Sequence, residues 1–380
     1  MMGLAVWIRR GIVVAVALAV LLVGGAVLVR AQADVRAQWA TTGHANRALA
    51  QLDATVETRQ LNAAHCGRCH TEQGFLAWLP QLNAGKPGNI MKPDGTAADI
   101  PFLTNLGLTK FSVRPVTCNA CHNADFSVRV TKSTALLPSG FRAIGVGAGA
   151  QCMTCHNSRN GAVAWNLEDP KRYSAPHTAS QADVIMGKNA FFVPPAEASI
   201  SPHATFVGDS CVTCHMRFSK ASHTFKASGD TCARCHGADV TTARVEGGIE
   251  TALHEVEAAI AAKVMGRRDR IAAIVSWDPK TDQYTPNVRL DMAQVGAIHL
   301  TEIHGQGGLK FSMRDGRELY AQIGSVLDAA GKPVIPTNDV IIRAIWNFFL
   351  IEGDGSFGIH NPRFSRTVLL ATLDALAAKP

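Results

Sequence analysis

Apolar and polar positions divide the chain into stretches of different character. From Gly11 to Val29 nearly every residue is apolar, a run of about nineteen with Arg9 and Arg10 before it and Arg30 after it. That length can cross a bilayer, and Ala31-Gln32-Ala33 behind it has the small-residue pattern of a signal-peptidase site. Residues 1–33 read as an export signal, either cleaved or kept as an inner-membrane anchor through 11–29, with the arginines on the cytoplasmic side. Over 34–64 a mild helical period (Val35, Trp39, Ala45, Leu49, Leu52, Val56) predicts a leading helix. His44 lies on it alone and reads as a surface residue. From 65 to 240 neither a helical nor a strand period lasts, because Gly, Pro, Ser, Thr and Asn interrupt almost every ten residues. Past Gly237 the three- and four-residue period returns. It predicts helices from Ile249 to Trp277, Leu290 to His304, Gly316 to Ala330 and Asp339 to Glu352. A last helix, from Pro362 to Ala378, opens on the capping pair Asn361-Pro362. The expected fold is mainly α with much irregular loop, and 241–380 forms a helical lobe packed on the middle region.

The loop-rich middle would make a poor protein core, and its cysteines change that picture. All ten cysteines of the chain fall in five CxxCH motifs: Cys66/Cys69/His70, Cys118/Cys121/His122, Cys152/Cys155/His156, Cys211/Cys214/His215 and Cys232/Cys235/His236. In this motif two thiols add to the vinyl groups of a porphyrin and the adjacent histidine is placed as an iron ligand. Five covalent haem c groups are therefore expected, and a haem-cored region needs little regular structure. Zinc knuckles do not require a histidine directly after the second cysteine of each pair. A disulfide framework does not place its cysteines in such tight pairs. Export fits as well, since covalent haem attachment is completed outside the cytoplasm, so the expected location is the periplasm, either soluble or tethered to the inner membrane.

The formal charge of +7 would by itself suggest nucleic acid or anionic lipid as a partner. Each ferric haem with two ionised propionates contributes about −1, so five bring the total to roughly +2, and loss of Arg9, Arg10 and Arg30 brings it to about −1. No nucleic-acid partner is expected; redox proteins of the periplasm or membrane are.

Two short stretches and the helical tail resemble a known group. Cys214-His215-Met216 with His223 beyond it, and Gly358-Ile359-His360-Asn361-Pro362, are similar to segments of the multihaem cytochromes that include pentahaem nitrite reductases and octahaem hydroxylamine-type enzymes. The resemblance implies the scaffold, and His360 as a haem ligand. It does not extend to catalysis. The chain has no CxxCK motif, Arg217 follows Met216 where those reductases often carry proline, and Tyr173, Tyr284 and Tyr320 offer no match to a crosslinking tyrosine.

Nine histidines remain beyond the five of the motifs, enough to give every iron a second imidazole. Such haems are six-coordinate and exchange electrons with little rearrangement, which favours electron transfer over catalysis. The expected distal ligands are His360; His223, read as serving the close pair of motifs at Cys211/Cys214 and Cys232/Cys235; His254 at the head of a long helix; and His177 and His203, each held behind a proline. His299, His304 and His65 rank lower, and no methionine is assigned. The expected function is electron carriage through five bis-histidine haems in a respiratory chain. One alternative is an oxidoreductase acting on a small nitrogen or sulfur oxyanion at one open haem, with Arg172, Tyr173 and His177 as its polar groups. Another is a membrane-anchored quinol-oxidising cytochrome, which the 36 residues between Val29 and Cys66 suit badly.

Overall fold

The structure, a computed structural model, describes residues 34–159, 161, 172–194, 197–218, 222–237 and 240–378. The expected export segment, with its apolar run 11–29, lies outside these. Among the described residues no helix is long and apolar enough to cross a membrane.

The leading segment is broken where one helix was expected. Residues 34–40 are helical, Gly43–Ala45 form one tight turn, and α1 (Arg47–Ala54) starts afresh at Asn46, whose side chain accepts the Leu49 N–H. A free amide claimed by an Asn cap is a helix start, so His44 sits on a turn and not on a helix face.

The middle region is built from short helices, and the cysteine pairs lie on them: α2 (Ala63–His70), then Cys118–Cys121, Gly149–Cys155, a helical stretch over 211–217 and Asp230–His236. Helical spacing of three brings the two thiols of a motif to one face. Behind α2, Thr71 both donates to the Gly67 carbonyl (2.8 Å) and accepts the Gly74 N–H (3.0 Å), turning the chain sharply into α3 (Glu72–Asn83). Phe75, Trp78 and Leu82 of α3 bury against Ala63, Ala64, Leu103 and Leu108.

The two helices touch backbone to backbone. A methyl group at Gly74 would fall on the Gly67 carbonyl oxygen and lie 2.7 Å from Thr71 Oγ1. Gly74→Ala is therefore expected to push α3 off the first motif and to cost about 1–3 kcal/mol, read as a lower midpoint in denaturant unfolding.

The carboxy-terminal lobe departs from the all-helical expectation. α4 (Thr242–Met265), α5 (Val340–Glu352) and α6 (Pro362–Ala377) are helices. Between α4 and α5 the chain forms strands β1 (Ala273–Asp278), β2 (Gln283–Arg289), β3 (Val295–Ile303), β4 (Gln306–Met313), β5 (Glu318–Gln322) and β6 (Val326–Leu327). They make one antiparallel sheet in the order β2-β1-β5-β4-β3, with β6 on β1. The segments Leu290 to His304 and Gly316 to Ala330, and the end of Ile249 to Trp277, are thus strand and not helix. The pattern misleads because of a register shift between Val295 and Ala297, which leaves Val295, Ile298 and Ile303 buried at spacings that imitate a helix. The hairpin signal was His304-Gly305, both at positive φ (53° and 76°), a turn that joins Ile303 to Gln306.

The lobe packs on the middle region through polar bonds as well as apolar surface. Asn361, which caps α6 at the Phe364 N–H, also donates to the carbonyls of Val184 (3.0 Å) and Ser199 (2.8 Å). Asn347 exchanges two hydrogen bonds with the Phe191 backbone, and Ser180 donates to the Leu350 carbonyl. The lobe's large apolar cluster includes Ala175 and Val184 from the middle region.

Candidate metal centres

Each motif histidine faces a second histidine, and a different one each time. Ring centres lie 6.0 Å apart for His70 and His177, 6.4 Å for His122 and His223, 6.0 Å for His156 and His44, 6.2 Å for His215 and His360, and 5.9 Å for His236 and His203. Imidazole binds a first-row metal at about 2 Å. Two imidazoles on opposite sides of one iron therefore hold their ring centres about 6 Å apart. Beside each pair stand the two thiols of its motif. Among the described residues no cluster of three or more His, Cys, Asp or Glu side chains converges on a bare ion. The donor set fits haem held by two thioethers and two imidazoles.

The chain positions the second histidines by local means. The His177 N–H, behind Pro176, donates to the Ser158 carbonyl (3.1 Å). His203 opens a one-turn helix whose cap is Ser201. The His223 N–H donates to Gln38 of the leading segment (3.0 Å), and the His360 N–H to Ser356 Oγ (3.1 Å). His44 stands edge-on to Phe225, ring centres 4.9 Å apart, and His223 also lies against Phe225 at 5.9 Å. Phe225 adopts a φ of 56°, a conformation that an L-residue with a bulky side chain rarely takes, and its carbonyl accepts from His215 Nδ1 (2.9 Å). One strained residue therefore contacts three of the five histidine pairs.

Burial keeps most of these rings neutral, the form that ligates a metal. It pushes His44 down to about 4, with His156 adding to the effect. It pushes His177 down to about 3, helped by Arg159 and His70. His156, His203, His215 and His223 are lowered for the same first reason. His360 is the exception: burial acts to lower it, but the carboxylate of Asp354 outweighs burial and holds the ring above its ordinary value. The outward Nδ1 atoms are engaged: His122 with the Phe126 carbonyl (2.9 Å), His156 with Gln181 (3.2 Å), His223 with Ser222 (3.0 Å). With Nδ1 so engaged, Nε2 is the nitrogen left to meet a metal.

The expectations for His254, His44 and His223 change here. His254 lies exposed on α4, and none of the ring contacts among the described residues joins it to a motif histidine; His44, read as a surface residue, stands opposite His156 instead. The signal that could have found His44 was Asn46, a cap that breaks the predicted helix just after it. His223 faces His122 of the second motif and not a histidine of the fourth or fifth. Lastly, the thiols that meet are Cys69 with Cys155 and Cys152 with Cys211, which sets the third motif against the first and the fourth. The fourth and fifth motifs are also neighbours: Cys214 feels the charges of Cys232 and Cys235, and the Arg234 guanidinium lies 4.7 Å over the Phe218 ring.

The remaining histidines are occupied elsewhere. His65 Nδ1 bonds Asn89 (2.8 Å), His299 on β3 lies 3.8 Å from Glu257, and His304 Nε2 bonds Asp282 (2.6 Å). The polar set considered for an open haem is dispersed: His177 faces His70, the Tyr173 hydroxyl donates to the Ile335 carbonyl (2.9 Å), and Arg172 is exposed.

No family model matches the chain, and no curated protein matches it. Among solved structures it is similar to the crystal structure of the outer cell wall cytochrome OcwA, at a TM-score of 0.45 and 18% identity over 89% of this chain. The match takes in 49% of that protein, so the chain spans about half its length.

Proposed function

We propose that the protein is a five-haem c-type cytochrome that carries electrons between redox partners in the periplasm. The observation that carries this reading is the one-to-one facing of motif and second histidines at 5.9–6.4 Å. In it Cys66/Cys69, Cys118/Cys121, Cys152/Cys155, Cys211/Cys214 and Cys232/Cys235 hold the haems. His70, His122, His156, His215 and His236 are proximal ligands, and His177, His223, His44, His360 and His203 are the distal ones. Bound haem supplies a one-electron Fe(III)/Fe(II) couple. The protein's part would be to supply two imidazoles to each haem, which would leave substrate no place and keep the ligand set the same in both oxidation states. It also packs the centres closely. The thiol contacts run from the first motif to the third and on to the fourth, with the second beside the third, which supports a branched relay in place of one that follows sequence order.

The test is a spin-state and mass survey of the isolated protein. Intact mass should exceed that of the mature chain by five haems, and EPR should show only low-spin ferric signals, some of them magnetically coupled. A stoichiometric high-spin haem would overturn the electron-carrier reading in favour of a substrate site, and a haem count other than five would overturn the assignment of the motifs.

A further inference from the structure

The ten paired histidines differ in what their outer nitrogens meet. Backbone carbonyls take His122 and His215, an amide takes His156 and a hydroxyl takes His223. Two meet carboxylates: His70 Nδ1 lies 3.3 Å from Asp53, and His360 Nδ1 lies 2.6 Å from Asp354. These two differ in depth. The Asp53 side chain is 21% exposed and shares its charge with Arg59, whereas Asp354 is 1% exposed and has no Lys or Arg within ion-pair reach among the described residues.

Asp354 is also held firmly. It follows the end of α5 at Gly353, and Gly355 behind it takes a φ of 67°, so the chain folds back on itself toward His360. Ser356 Oγ donates to the second carboxylate oxygen of Asp354 and accepts the His360 N–H. The Asp354 carbonyl accepts from Gln181 (2.9 Å), the residue that meets His156.

A buried carboxylate on the outer N–H of a ligating imidazole draws that proton toward itself and makes the metal-bound nitrogen more electron-rich, which favours the ferric state. Burial removes the solvent screening that would weaken the effect. We infer that Asp354 is a tuning residue that makes the haem of the fourth motif, between His215 and His360, the lowest-potential centre of the protein. The inference rests on the five-haem reading above. Asp53 acts on the haem of the first motif in the same direction and more weakly.

Spectroelectrochemical titration of the intact holoprotein and its Asp354→Asn variant tests this, because asparagine keeps an oxygen for the His360 N–H and removes the charge. The lowest of the five transitions should rise by about 59 mV or more, a tenfold change in a one-electron equilibrium. Haem count and low-spin EPR should stay as in the parent, and Asp53→Asn should give a smaller rise in one other transition. An unmoved lowest transition with five low-spin haems would reduce Asp354 to a structural role. His360→Ala gives a second answer that does not depend on how Asp354→Asn folds: the transition lost from the low-spin set should be the lowest, and loss of any other overturns the inference. A haem count other than five would count against the functional reading, and so separates its failure from that of the tuning role.

Discussion

Replacing His44 with alanine should turn one haem, that of Cys152 and Cys155, high-spin while all five stay attached. Thioether formation needs only the motif, so the mass is unchanged, and the loss falls on the ligand that faces His156 at 6.0 Å. The change should be close to one full high-spin equivalent in EPR, because no other described histidine is placed to substitute: His65 and His304 bond Asn89 and Asp282, and His299 lies 3.8 Å from Glu257. His254→Ala, by contrast, should leave the spectrum untouched. The pair of variants separates the arrangement seen in the fold from the one expected along the sequence. A low-spin His44→Ala protein, or a high-spin His254→Ala protein, would refute the ligand assignment.

Production of the chain without haem attachment should leave residues 63–237 without a stable fold. The apolar cluster around the third motif is small, ten buried residues of which four are the alanines Ala143, Ala150, Ala182 and Ala204. Half-buried imidazoles of the five pairs face one another across this region, and a buried polar group costs roughly 1–3 kcal/mol when it lacks a partner. Haem binding is thereby folding energy for this region, as metal binding is for small metal-dependent domains. Hydrogen exchange on chain with the motif cysteines replaced by serine should find protection confined to the carboxy-terminal lobe, whose apolar cluster of α4–α6 and the sheet is much larger. Native-like protection across α2, α3 and the Gly149–Cys155 helix would contradict this.

Several features of the protein are written in short stretches of its sequence. Two thiols and a histidine at fixed spacing lie within about one helical turn, so all five CxxCH motifs are legible without a fold. The start of α6 is equally local: Asn361 offers an acceptor to a free amide and Pro362 needs no hydrogen bond at that position. The loop-rich character of the middle region follows from residues that interrupt both periods.

What the tertiary structure decided is everything that depends on residues distant in the chain meeting. Periodicity could not separate helix from strand over 295–303, because a bulge shifts the phase of the buried positions and the sheet's own partners, β4 and β5, supply the preference. Nor could proximity in sequence say which histidine meets which motif. His44 stands opposite His156, 112 residues on, and His223 opposite His122, 101 residues back, with both rings against Phe225, and separations of that length are closed by packing alone. Asp354 is the same case at one remove: an unremarkable acidic residue in a glycine-rich turn becomes a buried partner of His360 only when α5 and α6 close over Val184 and Ser199. Local sequence places the motifs, while the pairing of the histidines and the depth of Asp354 are set by packing, which fixes distance and burial.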